Sequence, residues 1–297
     1  MTNTLSMILA ISGVACFWFG SVTASPVIKF AVNPINENRP YERSSTNFVA
    51  GKPLTEELLK GDFSNIGKEI RNEFIPWDKQ DTTLHEGDIK LFGDKNAILG
   101  SSYRWPNAHI PYEISADYTP DQRTVIAFAM STYHNNTCIR FVPRTCEKNY
   151  IRIYKSGGGC WSYVGMINIG AQNVSLDDGC IASWAPGVVM HELMHSAGFF
   201  HEHTRPDRDT YVTINFANIL SQYVTSNFNI MSSSQVTTLG LAYDYGSVMH
   251  YPQNAFAINS AIPTITPLIG NPTIGQRAGF SSLDLQKLNT LYCAASG

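Results

Sequence analysis

Residues 191–202 read HELMHSAGFFHE, and RPDRD follows at 205–209. His191 and His195 are four residues apart, so a helix places them one above the other on the same face. Two imidazoles so placed both reach one zinc ion at roughly 2.0–2.1 Å. Glu192 is too close to the first ligand to share its direction, and it is better placed to hold a water than to bind the metal. Gly198 comes next, and glycine takes a left-handed conformation at low cost, so it ends the helix and turns the chain back. His201 then approaches the ion from another side. Three protein ligands leave one position open, which is the catalytic arrangement of zinc rather than the structural one. The competing reading is three unrelated histidines on an amphipathic helix. The added glycine and third histidine, at the spacing H-E-x-x-H-x-x-G-x-x-H, argue against it.

A second segment agrees. Residues 243–251 read YDYGSVMHY. The zinc motif with Glu202 directly after its third histidine, together with SVMHY downstream, resembles the astacin family of metzincin proteases. That resemblance implies Met249 in a methionine turn beneath the metal. It implies Tyr251 as a further, movable zinc ligand whose hydroxyl holds the oxyanion once it swings off the metal. Glu202 is implied to pair with the amino terminus of the mature enzyme, in a buried ion pair that forms only after activation. The implied chemistry is hydrolysis of internal peptide bonds with one zinc ion as cofactor and Glu192 as the base, without a covalent acyl-enzyme. Taken alone, Met249 and Tyr251 would read as ordinary core residues.

Composition narrows the setting. The 297 residues permit one or two domains, and a formal net charge of −3 gives no electrostatic case for nucleic acid or anionic membranes. Residues 5–23 are nearly free of charge, and Val22, Thr23, Ala24 and Ser25 supply the small residues of a cleavage site. This fits a signal peptide over 1–24 and a secreted protein, although the basic residues that usually open one are missing; the alternative is a membrane anchor. Cys16 leaves with that leader, so Cys138, Cys146, Cys160, Cys180 and Cys293 remain. Sequence alone does not assign their connectivity. The family resemblance implies Cys138–Cys293 and Cys160–Cys180. Cys146 is then unpaired, either a buried thiol, the favoured reading, or a link to another chain. Asn135 and Asn173 open N-x-Ser/Thr sequons, permissible glycosylation sites rather than evidence of use.

The text changes near residue 95. Residues 25–95 are polar and charged, with one helical stretch expected over 54–74; apolar segments with turn signals follow. We read 25–95 as a propeptide and 96–297 as the catalytic domain, with the mature chain starting at Asn96 or Ala97. The resemblance supplies a mechanism for latency. Residues 84–91 read LHEGDIKL, similar to the family's Phe-x-Gly-Asp element, whose aspartate occupies the zinc in the zymogen. Asp88 fits that place, and Gly87 lets the backbone pass close to the metal site. His85 stands where the family has Phe, which weakens the anchor and brings a possible ligand nearby.

Further elements follow from pattern. Residues 120–136 repeat apolar positions at helical spacing, and a strand follows in CIRFV. IRIYKSGGGCWSYVG (151–165) reads as a strand, a glycine turn and a second strand at the cleft edge. An extended substrate can add to that edge by main-chain hydrogen bonds, with Trp161 and Tyr163 either lining the rim or simply packed. The zinc helix starts near Trp184-Ala-Pro-Gly. Phe216 stands where the family commonly has Trp. Ser281 or Ser282 caps a terminal helix that runs to Cys293. The expected fold is α+β in two lobes: a twisted mixed sheet with a backing helix and the active-site helix in the first, and an irregular second lobe with the terminal helix. The expected partner is a protein or peptide substrate bound extended along the cleft, and the enzyme is expected to act as a monomer. An inactive binding scaffold is disfavoured by the intact Glu192 and histidines. An exopeptidase of another zinc-helix type is disfavoured by the local third ligand. A matrix role is disfavoured because no recognition module follows Cys293.

Overall fold

The computed structural model describes residues 48–68, 83–91 and 101–293. The expected leader and the expected mature start lie outside them. In chain order the strands are β1 (His109–Ile114), β2 (Arg140–Pro143), β3 (Tyr150–Tyr154), β4 (Cys160–Ser162), β5 (Ala171–Leu176), β6 (Val212–Ile214) and β7 (Ile265–Pro267). The α-helices are α1 (Glu56–Leu59), α2 (Pro120–Asn136), α3 (Gly187–Ser196), α4 (Val224–Asn227) and α5 (Ser282–Tyr292).

Five strands form one mixed sheet in the order β2-β1-β3-β5-β4. All pairings are parallel except β4 with β5, so the edge strand β4 runs against its neighbours. The glycine-rich turn after β3 therefore does not make a hairpin: β5 inserts between the two strands it joins. α2 backs the sheet. Thr119 and Gln122 close a reciprocal cap at its start, with Pro120 in the first turn. Val125, Ile126, Ala129, Met130 and Tyr133 from α2 share one buried cluster with β1, β3, β5 and α3. Every residue of α3 is buried, so this helix runs through the core.

The second lobe holds its own cluster around Val212, Phe228, Tyr243, Tyr251, Phe256 and Ile265. Its regular structure is sparse: the antiparallel β6–β7 pair and the short α4, joined by tight turns. α5 carries a reciprocal cap between Ser281 and Asp284. Disulfides join Cys138 to Cys293, tying the end of α5 back to the start of β2, and Cys160 to Cys180.

Two expectations are corrected. Of the helix expected over 54–74, residues 69–74 lie outside the described residues; over 54–68 it is only Glu56–Leu59, with Gly61 and the left-handed Gly67 (φ 75°) where it would continue and the chain proceeding in turns. Cys146 is exposed rather than buried, and it is not a free thiol. Among the described residues no helix is long and apolar enough to cross a membrane.

Candidate metal centre and its blocked cleft

α3 delivers His191 and His195, whose ring centroids lie 4.6 Å apart. Gly198 follows with φ 110°, and its N–H donates to the His195 carbonyl at 2.7 Å. That turn returns the chain so that the His201 ring stands 4.8 Å from His195 and 5.1 Å from His191. The fourth member is Asp88. The ligand atoms of Asp88, His191, His195 and His201 all lie within 4.8 Å of one another, and all four residues are buried.

The outer nitrogen of each ring is tethered. Nδ1 of His191 meets the Val248 carbonyl at 2.8 Å, Nδ1 of His195 the Phe199 carbonyl at 2.7 Å, and Nδ1 of His201 the Glu86 carboxylate at 2.7 Å. An Nδ1 facing an acceptor keeps its proton, so in the neutral ring, the form that binds a metal, each Nε2 turns its lone pair inward. There Asp88 Oδ2 sits 3.0 Å from His191 Nε2 and 3.2 Å from His201 Nε2, and Oδ1 lies 3.4 Å from His195 Nε2. His195 Nε2 and Asp88 Oδ1 are buried with no hydrogen-bond partner. Inward lone pairs, a carboxylate and orphaned donor atoms fit a cation of zinc's preferences. Burial opposes charge on His201, but Asp88 and Glu86 outweigh it and raise the ring to about 9, which marks the pocket as one that attracts positive charge.

Glu192 is fully buried beside this cluster, and neither carboxylate oxygen has a hydrogen-bond partner. Burial, then the charge of Asp88, push its carboxyl well above the usual range, with Arg277 opposing. Met249 is buried, and its carbonyl accepts the Glu202 N–H at 3.0 Å. Tyr251 is turned to the segment carrying Asp88: its hydroxyl donates to the Glu86 carbonyl, and its ring stacks on His203 at 3.9 Å.

Residues 83–91 occupy the cleft. Ser162 of β4 donates its N–H to the Asp88 carbonyl and accepts the Lys90 N–H, each at 2.9 Å, so the segment extends the sheet edge in parallel. Leu84 packs on Trp161 and Tyr154, with Tyr163 at the margin of the same cluster. Gly87 has φ 76°, and a Cβ there would meet the Phe256 ring at 2.8 Å. His85 stays outside the ligand set, with Nε2 3.2 Å from Glu86 Oε1.

Glu202 is already paired. Its Oε2 lies 2.6 Å from Lys287 Nζ, and its Oε1 accepts from Arg205 at 3.2 Å and from the Asp244 N–H at 2.8 Å. A carboxylate only 5% exposed needs such partners to remain charged. Beside it lies a cavity of about 70 Å³ lined by Gly198, Phe199, Thr237 and Leu239 among others.

Several contributors are absent from the motif. Glu86 holds His201. Asp284 accepts from the Val248 N–H at 2.8 Å and from the Ser247 hydroxyl at 2.6 Å, steadying the turn that tethers His191. Lys287, on the next turn of α5, holds Glu202. Glu86 lies two residues before Asp88 in the stretch read as the latency element, and Asp284 and Lys287 lie in the expected terminal helix, but the sequence pattern assigns none of them a role at the site.

A helix that sends two imidazoles to one point, and a glycine turn that brings back a third, is the architecture of the metzincin zinc peptidases. The family model for Astacin, a family of peptidases, matches residues 98–293, and the chain belongs to the astacin family. It is 43% identical over 241 residues to zinc metalloproteinase nas-13 of Caenorhabditis elegans, covering 79% of this chain and 50% of that protein. It is 41% identical over 254 residues to meprin A subunit beta of Rattus norvegicus, covering 84% of this chain and 34% of that protein. The chain thus spans half or less of these relatives' length. Among solved structures, high choriolytic enzyme 1, a hatching enzyme zinc-protease from the medaka fish Oryzias latipes, matches with a TM-score of 0.60 and 38% identity, over 69% of this chain and 98% of that one.

Proposed function

We propose that this chain is the precursor of a secreted zinc endopeptidase, held inactive by its own residues 25–95. The observation that carries the reading is Asp88, seated among three imidazoles with its carboxylate oxygens 3.0, 3.2 and 3.4 Å from their Nε2 atoms. A carboxylate there takes the position that water and substrate need. The leader over 1–24 and the two described disulfides suit an oxidising, extracellular setting. Casein or another unfolded protein is a suitable first substrate.

Once residues up to Lys95 leave, Ser162 regains its free N–H and carbonyl. An extended peptide then takes up the main-chain bonds that Asp88 and Lys90 hold in the precursor. His191, His195 and His201 hold zinc, which when bound supplies a Lewis acid that acidifies water and polarises the scissile carbonyl. Glu192 accepts the proton of the attacking water and hands it to the leaving amine. Departure of Asp88 removes a neighbouring charge that raises the Glu192 carboxyl, so its unpaired oxygens can ionise and do both. The Tyr251 hydroxyl, released from the Glu86 carbonyl, swings back to donate to the oxyanion. Met249 floors the site. Trp161 and Tyr163, uncovered by loss of Leu84, line the substrate rim. The new amino terminus at Asn96 or Ala97 enters the cavity beside Glu202 and joins the cluster with Lys287 and Arg205. The enzyme acts as a monomer on proteins or peptides, with no nucleic acid or membrane partner.

The test is casein cleavage by protein processed to begin at Asn96, with and without a zinc chelator, beside Glu192→Ala. Activity that disappears in both controls supports the assignment. Zinc-loaded, correctly processed protein that leaves several unfolded substrates uncut would sink it.

A further inference from the structure

Residues 48–68 also touch the catalytic body: Phe48 packs against the cluster of Leu84, Tyr154 and Trp161, and the rest of the segment binds elsewhere. Gly51 donates its N–H to the Ile114 carbonyl at 2.8 Å, and Ala116 donates to the Val49 carbonyl at 2.9 Å, a short antiparallel pairing at the end of β1. The approach is so close that a Cβ on Gly51 would lie 2.9 Å from Ala116 Cα. The Leu54 N–H donates to the Tyr112 hydroxyl at 3.0 Å, and Arg123 of α2 reaches the Lys52 carbonyl. Leu54 and Leu59 are buried members of the first lobe's core cluster, and Leu58, Phe63 and Ile66 pack against it. The Phe63 ring lies 5.3 Å from that of Phe128 on α2. Gly67 closes the run with an N–H to the Ser183 carbonyl at 2.6 Å. Beyond the cluster that Phe48 and Leu84 share, residues 83–91 use none of these partners: they hold Ser162, the three imidazoles and Tyr251.

We propose that the catalytic body carries a second binding site, formed by the end of β1, by α2 and by the loop before α3, whose ligand is residues 48–68 of this chain. Because the site is independent of the metal, it retains the excised prosegment after cleavage and keeps it in place as an inhibitor. The ligand's chemistry is set by the contacts: an extended stretch with glycine at the tight approach, then one helical turn presenting leucines, then an aromatic residue. The prosegment is a two-point ligand, so its two contacts reinforce each other through effective concentration. This rests on reading 25–95 as a prosegment.

The experiment uses a fluorescent peptide of residues 48–68 and fluorescence anisotropy. The full-length precursor should refuse the peptide, because its own segment fills the site. Full-length Leu59→Glu should bind it, because its own segment is weakened. Should that variant fail to fold, wild-type precursor cut near Lys95 and freed of its prosegment serves in its place. Binding should persist in excess unlabelled peptide 83–91, and a Gly51→Val peptide should bind at least ~10-fold more weakly. Against the processed enzyme, peptide 48–91 should inhibit about 100-fold more tightly than peptide 83–91. Absence of saturable binding, displacement by peptide 83–91, or equal potency of the two inhibitory peptides would each overturn the proposal. Equal casein activity in the intact precursor and in cut protein freed of its prosegment would instead overturn the zymogen reading, and the anisotropy assay reports on the second site either way.

Discussion

Glu192 and Tyr251 have separable tasks. Glu192 has no hydrogen-bond partner and no place in the ligand set, so removing its basicity leaves the metal where it is. In processed Glu192→Gln we expect kcat to fall about 10²–10⁴-fold, the range of a positioned general base, with zinc content by atomic absorption unchanged. Loss of zinc in that variant would make Glu192 a structural residue. Tyr251→Phe keeps the ring that stacks on His203 and removes only the donor. We expect kcat to fall by about 10²-fold while KM holds, as for a lost oxyanion donor. A rise in KM alone would assign the hydroxyl to substrate binding instead. The ligands were legible because their geometry is local: a spacing of four on a helix and a glycine that turns the chain. Glu86 and Lys287 were not, because a carboxylate 115 residues before His201 and an ammonium 85 residues after Glu202 meet their partners only once the chain is folded.

Helices were legible from apolar spacing and from local start signals, and strand order was not. Apolar spacing marks α2 and Ser281 marks α5, and the structure adds the reciprocal caps of Thr119 with Gln122 and Ser281 with Asp284, whereas nothing local says that β5 lies between β3 and β4. The stretch at 54–74 shows the limit of local reading: leucine periodicity asks for a helix, and Gly61 and Gly67 end it. α5 matters beyond its own stability, since Asp284 steadies the turn beneath His191. Second-layer partners of metal ligands typically set affinity by about 10–100-fold, and Asp284 acts one bond further out. We expect Asp284→Asn to weaken zinc about tenfold, read by competition with a chromophoric chelator; unchanged affinity would confine the residue to helix capping. At the far end of α2, the His134 Nε2 accepts the Phe141 N–H at 2.9 Å. Burial, then the charge of Arg140, push that ring down to about 4. The unfolded chain takes up the proton near pH 6.5, so the contribution is whole above pH 6.5 and is lost as pH falls toward 4. The melting temperature of His134→Gln should therefore drop less than wild type between pH 7 and 4.5. Parallel curves would mean that the ring titrates normally.

At the scale of the whole molecule, Asp88 couples the cleft to the metal and hence to stability. A metal that binds only the folded chain stabilises it by about 2.7 kcal/mol at a free concentration 100 times its Kd. For a unit of this size that is on the order of 5–10 °C in Tm. The full-length chain offers three imidazoles and a carboxylate at one point, whereas the Asp88→Ala chain offers the imidazoles alone. An extra anionic ligand raises affinity, so at equal free zinc the intact precursor gains more than the variant. Chelation should therefore lower the Tm of the wild-type precursor by several degrees more than that of Asp88→Ala, measured by differential scanning calorimetry in the same buffer. The same variant should also acquire casein activity without cleavage, since the carboxylate is what fills the position needed by water, although residues 83–91 still cover β4 and hold that activity below the processed level. The two readouts separate the roles of Asp88. Equal chelation shifts with activity gained would make it a plug that does not bind the metal. A larger wild-type shift with no activity gained would make it a ligand whose removal leaves the cleft closed, with latency resting on the strand laid along Ser162.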